Sequence, residues 1–337
     1  MNKYCLKIKD SNGVNIGEIT DWKPFNITWE LNREGSLSFN RSIDATVFTE
    51  STLYPLKHFI DVYRYNKKIW SGILTQVNPR LDENYGDMGL TFNGFLWLLR
   101  KMKVSPSGRI FSAVDQGDIL WSLIDQFQSL PNGNWTITQG VTETGTTRDR
   151  TYEPLKDMYD AAIEMTEIIN GCDVEITDDM VFNAYAHKGI KLKHVFEYGK
   201  NIKKIDFSID GKDVINQSFA VGKSSTADIF YNVAHDMQSQ EVYKLLQGVF
   251  SFPSVELEDT LAEHAKECAS AYSQPIKVYG CELYPTDDPT FGAYSVGDEI
   301  RLIAKKEYVN IDVYKRIQKI TLSVDQEEKE SIKVDFI

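Results

Sequence analysis

Alternation of apolar and polar residues recurs along this chain and limits what it can fold into. It is most regular from Tyr294 to Ile337. There Ile300 and Leu302, then Ile320, Leu322 and Val324, then Ile332, Val334 and Phe336 alternate with charged or polar neighbours. A period of two places successive side chains on opposite faces of a strand, so this stretch predicts strands with one buried face. Gly297-Asp298 sets the turn into the first, and the acidic run Asp325 to Lys329 separates the last two.

The same pattern opens the chain. Leu6 and Ile8, then Ile27, Trp29 and Leu31, then Leu37 and Phe39 predict strands, with turns at Ser11-Asn12-Gly13 and at Gly35. Thr46 to Leu56 is ambiguous, a short helix being one reading. Ile60, Val62 and, in the same register, Arg64 precede a turn at Asn66 to Lys68 and a return strand through Ile69, Ile73 and Val77. An acidic loop, Asp82 to Asp87, leads into Leu90 to Phe92. Phe59–Phe95 and Tyr294–Ile337 therefore share an order: strand, lysine-bearing turn, strand, acidic loop, strand. Few identities match, but two related β-domains flanking an insertion would produce this echo.

At Gly94 the period changes. Phe95 to Leu99 is apolar on all sides, as a short buried helix would be. Ile119, Leu120, Leu123, Ile124 and Phe127 recur at helical spacing behind Asp115 to Asp118. Leu155, Met158, Ala162, Met165 and Ile169 mark another helix, closing at Asn170-Gly171. Cys172 to Ala184 reads as a hairpin turning at Asp178-Asp179. Strands resume at Ile202 and reach Ala220-Val221-Gly222, and Ser224 to Ser239 reads as a polar surface loop. Leu257, Leu261, Ala265, Cys268, Ala269 and Tyr272 form the stripe of a last helix over 256–273, which Pro275 stops. The expected fold class is α+β and β-rich, with a β-rich domain over 1–104, an inserted α+β domain over 105–197 and a second β-rich domain over 198–337.

The hydrophobic fraction of 42% suits a globular protein, and no window approaches the roughly 18 apolar residues of a membrane span. The N-terminus alternates instead of carrying the apolar core of a signal peptide, so assembly in a cytoplasm without membrane insertion is expected. Against 37 basic side chains stand 49 acidic ones, a net charge of -12. That balance argues against grasping nucleic acid, whose affinity comes largely from phosphate neutralisation, and suits solubility or a surface that a polyanion slides past. Cys5, Cys172, Cys268 and Cys281 lack disulfide or zinc spacing and read as small core residues. Only His264 and Cys268, with Cys281 further on, resemble metal ligands at all.

Chemistry is otherwise sparse. The glycine-rich dinucleotide and phosphate loops, the His-Glu-x-x-His zinc motif and the Gly-x-Ser-x-Gly elbow are all missing from the sequence. His58, His187, His194, His235 and His264 lie far apart. The acidic pairs Asp178-Asp179, Asp287-Asp288 and Glu327-Glu328 fall at predicted turns, where solvated carboxylates are common. The Arg100-Lys101-Met102-Lys103 cluster follows the short apolar helix and complements its negative end. Trp29, Trp70 and Trp97 read as core. No catalytic residue, cofactor or metal is expected.

The order of these features resembles the tail-hub, or baseplate-hub, proteins of tailed bacteriophages, the siphophage minor tail proteins of the hub type, which are related to hubs of contractile injection systems. Gly17 to Trp22 followed by Asn32 to Phe39 looks like their opening strands, and Ile60 to Arg64 with Ile69 to Thr75 like their hairpin. Gly94 to Arg100 is similar to their glycine-led helix. Asn201 to Lys204, Asp213 to Asn216 and Ala220 to Gly222 are similar to their central strand pair. Leu257 to Tyr272, then Val296 to Ile300 and Arg316 to Ile320, are similar to their closing helix and barrel. Gly94, Asn201, Asn216, Gly222, Gly297 and Asp298 are the signature positions. The resemblance implies two tube-like antiparallel β-barrel or sandwich domains per chain and a homotrimer with six such domains around a channel. It implies a non-enzymatic virion component at the tail tip, joining a six-fold tail tube to a three-fold tip and taking part in DNA ejection. Tail tube, distal tail, tape measure and central fibre or tip proteins are the implied partners, with DNA only in transit. Because the sequence ends with a strand, lytic or fibre extensions are expected on another protein. The competing classes are a hexameric distal tail protein, a cell-wall-degrading tip enzyme and a carbohydrate-binding receptor module.

Overall fold

The alternating stretches fold as strands whose buried residues follow the sequence period. The computed structural model describes residues 3–20, 22–43, 53–83, 86–223, 229–253, 255–285 and 288–337. Most of the ambiguous Thr46–Leu56 segment, Asp21, Asn84-Tyr85, Asp287 and the start of the polar stretch after Gly222 lie outside these residues. The N-terminal strands are β1 (Tyr4–Lys9), β2 (Asn15–Ile19), β3 (Trp22–Glu30), β4 (Ser36–Ser42), β5 (Phe59–Arg64), β6 (Lys67–Leu81) and β7 (Gly86–Asn93). Leu6, Ile8, Ile27, Leu37, Ile60 and Val62, picked out by alternation, are fully buried.

Past Gly94 comes a 3-10 helix, Phe95–Lys101, with Phe95, Leu96, Leu98 and Leu99 buried. Then follow β8 (Arg109–Asp115), α1 (Gln116–Gln128), β9 (Thr138–Gln139), β10 (Thr147–Tyr152), α2 (Met158–Glu167), β11 (Asp173–Ile176) and β12 (Val181–Tyr185). Asp115 caps α1 by accepting from the Gly117 N–H at 2.9 Å, and it also accepts from Thr144 and Gly145. An N-cap carboxylate satisfies amides that the helix itself leaves open. One hydrophobic cluster joins α1, α2, the β11–β12 hairpin and the 3-10 helix, and it takes in Ile73 of β6.

The chain continues through β13 (Lys191–Glu197) and β14 (Ile202–Asp210) to β15 (Gln217–Val221), β16 (Tyr231–His235), α3 (Met237–Tyr243), β17 (Gln247–Ser251) and α4 (Glu258–Ala271). It returns through β18 (Ile276–Leu283) and closes with β19 (Glu299–Lys306), β20 (Val309–Val324) and β21 (Glu330–Phe336). Contrary to expectation, Ser224 to Ser239 is not a loop throughout: its described part holds β16 and the start of α3. Strand β16 is only five residues long and places Tyr231 and Val233 on its exposed side, so no apolar–polar alternation marks it, and α3 is only seven residues long. The α4 stripe is narrower than its sequence implies. Leu261, Ala265 and Ala269 are buried, whereas Leu257 is 69% exposed because it is the N-cap residue.

By compactness the chain divides into two units, Met1–Ile205 with Gly280–Ile337, and Asp206–Tyr279. In the first, the backbone ladder runs β21-β20-β3-β4-β7-β6-β5-β1-β2, with β19 also on β20 and β13 parallel to β19. The second holds the sheet β16-β15-β17, where Ser218 of β15 donates to the Ala265 carbonyl of α4 at 2.5 Å. Its core is small: Ala220, Leu261 and Ala265, flanked by Phe230, Ala234, Phe252 and Val255.

The echo between the two stretches is visible as topology. Strands β5-β6-β7 and β19-β20-β21 are both antiparallel meanders around a long middle strand, of 15 residues in β6 and 16 in β20. Each middle strand pairs with its predecessor along its first half and with its successor along its second. In β6 the change falls at Ile73, and in β20 between Arg316 and Ile317. A register shift lies beside each change, at Leu74/Gln76 and at Ile317/Lys319. A bulge bends and twists a strand, which lets one long strand serve two ladders.

Candidate functional site

The six signature positions fall at chain junctions, where they hold backbone. Gly297 turns the chain into β19 with φ of +97°, a region that favours glycine, and a Cβ there would stand 2.7 Å from the Lys188 carbonyl oxygen. Asp298, 8% exposed, accepts from the Ile190 N–H at 2.9 Å and the Ser295 N–H at 2.8 Å. Arg316 of β20 reaches the same turn. It donates to the Gly297 carbonyl at 2.9 Å, to the Lys188 carbonyl at 2.7 Å, and to the carboxylate of Asp173 on β11. Asp173 also accepts from Asn32 at 2.9 Å and from the Lys188 N–H at 2.7 Å. Burial works to raise the Asp173 carboxyl, but these donors outweigh it and hold the group below its ordinary range. One arginine–aspartate pair thus ties the β3–β4 turn, the β11–β12 hairpin, the segment before β13 and the β19–β20 pair together.

Gly94 opens the 3-10 helix so close to the Glu34 carbonyl that a Cβ would collide with backbone. Asn201, in the turn between β13 and β14, accepts from the Glu197 N–H at 2.8 Å and donates to the carbonyls of Val195 at 2.9 Å and Asp288 at 3.1 Å. In the second unit Asn216 is fully buried. Its amide donates to the Lys244 carbonyl at 2.7 Å and to Ser239 at 3.2 Å, and its oxygen accepts from the Leu246 N–H at 2.8 Å. The Gly222 N–H donates to the Phe230 carbonyl at 2.9 Å beyond the end of β15.

A second ionic knot joins β1, β5 and β21. The Glu330 side chain at the start of β21 is 1% exposed and takes a two-pronged contact from Arg64 of β5, at 2.6 and 2.9 Å. It also accepts from the Tyr4 hydroxyl of β1 and lies 2.9 Å from the Lys3 ammonium. The Lys3 N–H adds a bond to Glu328 at 3.1 Å. Strands β1 and β5 stand at the opposite end of the ladder from β21, so the sheet curls back on itself. Among the described residues side chains, not a backbone ladder, span this seam. Burial works to raise the Glu330 carboxyl, yet the bonds from Arg64, Tyr4 and Lys3 bring it down to about 2. One signal existed in the sequence: Arg64 occupies the same register as Ile60 and Val62, where only a partnered charge can be buried.

Other chemical candidates acquire structural roles. His58 is buried, its Nδ1 accepting from the Tyr54 N–H at 2.9 Å. His264 stacks on Phe252 with centroids 4.3 Å apart. Among the described residues no group of three His, Cys, Asp or Glu side chains is placed to hold a metal ion. Cys172 and Cys281 are buried, whereas Cys5 and Cys268 are half-buried. The basic cluster is used in pairs as well as at a helix end: Arg100 bonds Glu34 at 3.1 Å and stacks 3.5 Å from the Tyr159 ring centre, and Lys103 pairs with Asp157. None of the six tryptophans is exposed.

The Asp178-Asp179 turn departs from expectation. Asp179 is solvated, but Asp178 packs against β6 and accepts from the Ser71 N–H at 2.9 Å, because the hairpin tip docks on the sheet. Burial raises its carboxyl to about 6.

Residues 190–336 match the model of the family described as Prophage endopeptidase tail. The 43 kDa tail protein of prophage MuSo2 from Shewanella oneidensis superposes with a TM-score of 0.72 at 12% identity, over 99% of this chain and 98% of the other. Prophage tail protein gp18 from Listeria monocytogenes EGD-e superposes with a TM-score of 0.61 at 12% identity, over 98% and 94%. The E. coli c3393 protein is described as a type VI secretion component with structural similarity to the T4 bacteriophage tail proteins gp27 and gp5. It superposes at 0.55 and 10% identity, over 98% and 76%. No curated protein sequence matches this chain. The fold is that of phage tail proteins.

Proposed function

We propose that this chain is a non-enzymatic structural protein of a phage tail, of the hub type, acting as a homotrimer at the distal end of the tail. The observation that carries this reading is the whole-length likeness to a phage tail protein, spanning 99% of this chain. The two meanders β5-β6-β7 and β19-β20-β21 support it. Two such units per chain in a trimer give six similar elements around an axis, matching a six-fold tube on one side and a three-fold tip on the other. In this proposal residues 1–104 and 198–337 are the tube-like domains and 105–197 the insertion. Gly94, Asn201, Asn216, Gly222, Gly297 and Asp298 keep the junctions in register and bind no ligand. Partners would be the tail tube, distal tail, tape measure and tip proteins, within a virion assembled in the host cytoplasm. The net charge of -12 would let DNA cross the channel without adhering.

Light scattering on the purified chain, followed by particle imaging, tests this reading. A ring of three copies is the expected result. Six copies would overturn the hub assignment in favour of a distal tail ring. Peptide cleavage by the purified chain would favour the endopeptidase named in the family description instead.

A further inference from the structure

The Asp178 contact has no part in the proposed assembly, yet it joins two elements through a carboxyl in an unusual setting. The β11–β12 hairpin tip lies on β6, where Asp178 Oδ1 accepts from the Ser71 N–H at 2.9 Å. Lys68 of β6 pairs with Asp179 at 2.5 Å and donates to the Asp178 carbonyl at 3.4 Å, so no close cation partners the Asp178 carboxyl among these contacts. The Ser71 hydroxyl donates at 2.6 Å to Asp61 of β5, which pairs with Lys9 of β1. On the hairpin itself Glu175 is matched by Lys188 at 2.5 Å. Three carboxyls, Asp61, Asp178 and Asp179, therefore face two ammonium groups, Lys9 and Lys68, leaving one negative charge in excess when all are ionised.

We infer that Asp178 is a protonation-controlled latch: with its carboxyl neutral the β11–β12 hairpin is held firmly against β6, and with it ionised the hold is weaker. Desolvation sets the direction, since a carboxylate with one amide donor and two neighbouring anions is less stable than the neutral acid. Burial is the largest cause of the rise to about 6; Asp179 and Asp61 add to it, while the Ser71 amide and Lys68 oppose it. A cavity of about 620 Å³ is lined in part by Lys9, Asp61, Trp135 and Asp178, so the hairpin tip borders open space on this side. The sign follows from linkage. A folded value above the ordinary 3.8 means that closure gains as pH falls through 6, and the gain is complete below the ordinary value.

Hydrogen exchange on the intact chain reads the latch through peptides spanning residues 67–74 and 174–182, corrected for intrinsic rates. Wild type is expected to open roughly tenfold less at pH 5.0 than at pH 7.5. Asp178→Asn should be insensitive to pH across that window. Asp179→Asn, at an exposed site, should keep the transition but move its midpoint to lower pH. A flat wild-type profile, or an Asp178→Asn variant with the wild-type slope, would overturn the inference.

Discussion

Glu330 illustrates how one buried charge can join distant strands. Its carboxylate is held by Arg64, Tyr4 and Lys3, and isolating it from water without them would cost several kcal/mol. A folded value near 2, below the ordinary 4.5, means that its stabilisation is full above pH 4.5 and fades as pH falls toward 2. Glu330→Gln should therefore lower stability by about 2 kcal/mol at pH 7, after allowing for solvent screening at the seam. The gap from wild type should close near pH 2, and melting curves at both pH values check this. Arg316 and Asp173 form the other junction, and the surrounding Gly297 and Asp298 satisfy backbone that would otherwise be stranded.

At the scale of elements, the long strands β6 and β20 do two jobs each. Leu322 lies in the second half of β20, wholly buried, opposite Ile332 on β21 and Ile27 on β3. Truncation to alanine leaves a cavity shared by three strands, with an expected cost of about 3 kcal/mol. Leu81, at the end of β6, is 73% exposed, and the same change there should shift stability by less than about 0.5 kcal/mol. Urea unfolding of the two variants side by side is the measurement. Equal costs would contradict the burial pattern. The alternation around Ile320, Leu322 and Val324 was a sound guide because a strand's period is rigid. It failed at β16 and α3, where too few residues carry the pattern.

For the whole molecule, the division into two units sets how stability is shared. Asp206–Tyr279 has its own small core and its own polar centre at Asn216. Asn216→Ala leaves the Leu246 amide and the Lys244 carbonyl without their partner in a half-buried place, a loss of about 2 kcal/mol. Calorimetry should resolve two transitions, of which only the one belonging to this unit falls in the variant. A single transition displaced as a whole would show the units to be thermodynamically one.

The sequence alone determined the faces of the longer strands, the apolar turn after Gly94, the stripe of α1 and the repeated meander order. All of these are set by neighbours within a few residues, through side-chain period. The partnering of charges was decided only by tertiary structure. Arg64 and Glu330 are 266 residues apart, Asp173 and Arg316 are 143 apart, and Asp178 meets Ser71 across 107. No local pattern specifies which charge meets which, because that depends on how far the sheet curls and where the hairpin tip lands. Asp178 and Asp179 are adjacent in sequence, yet docking against β6 half-buries one and leaves the other in water.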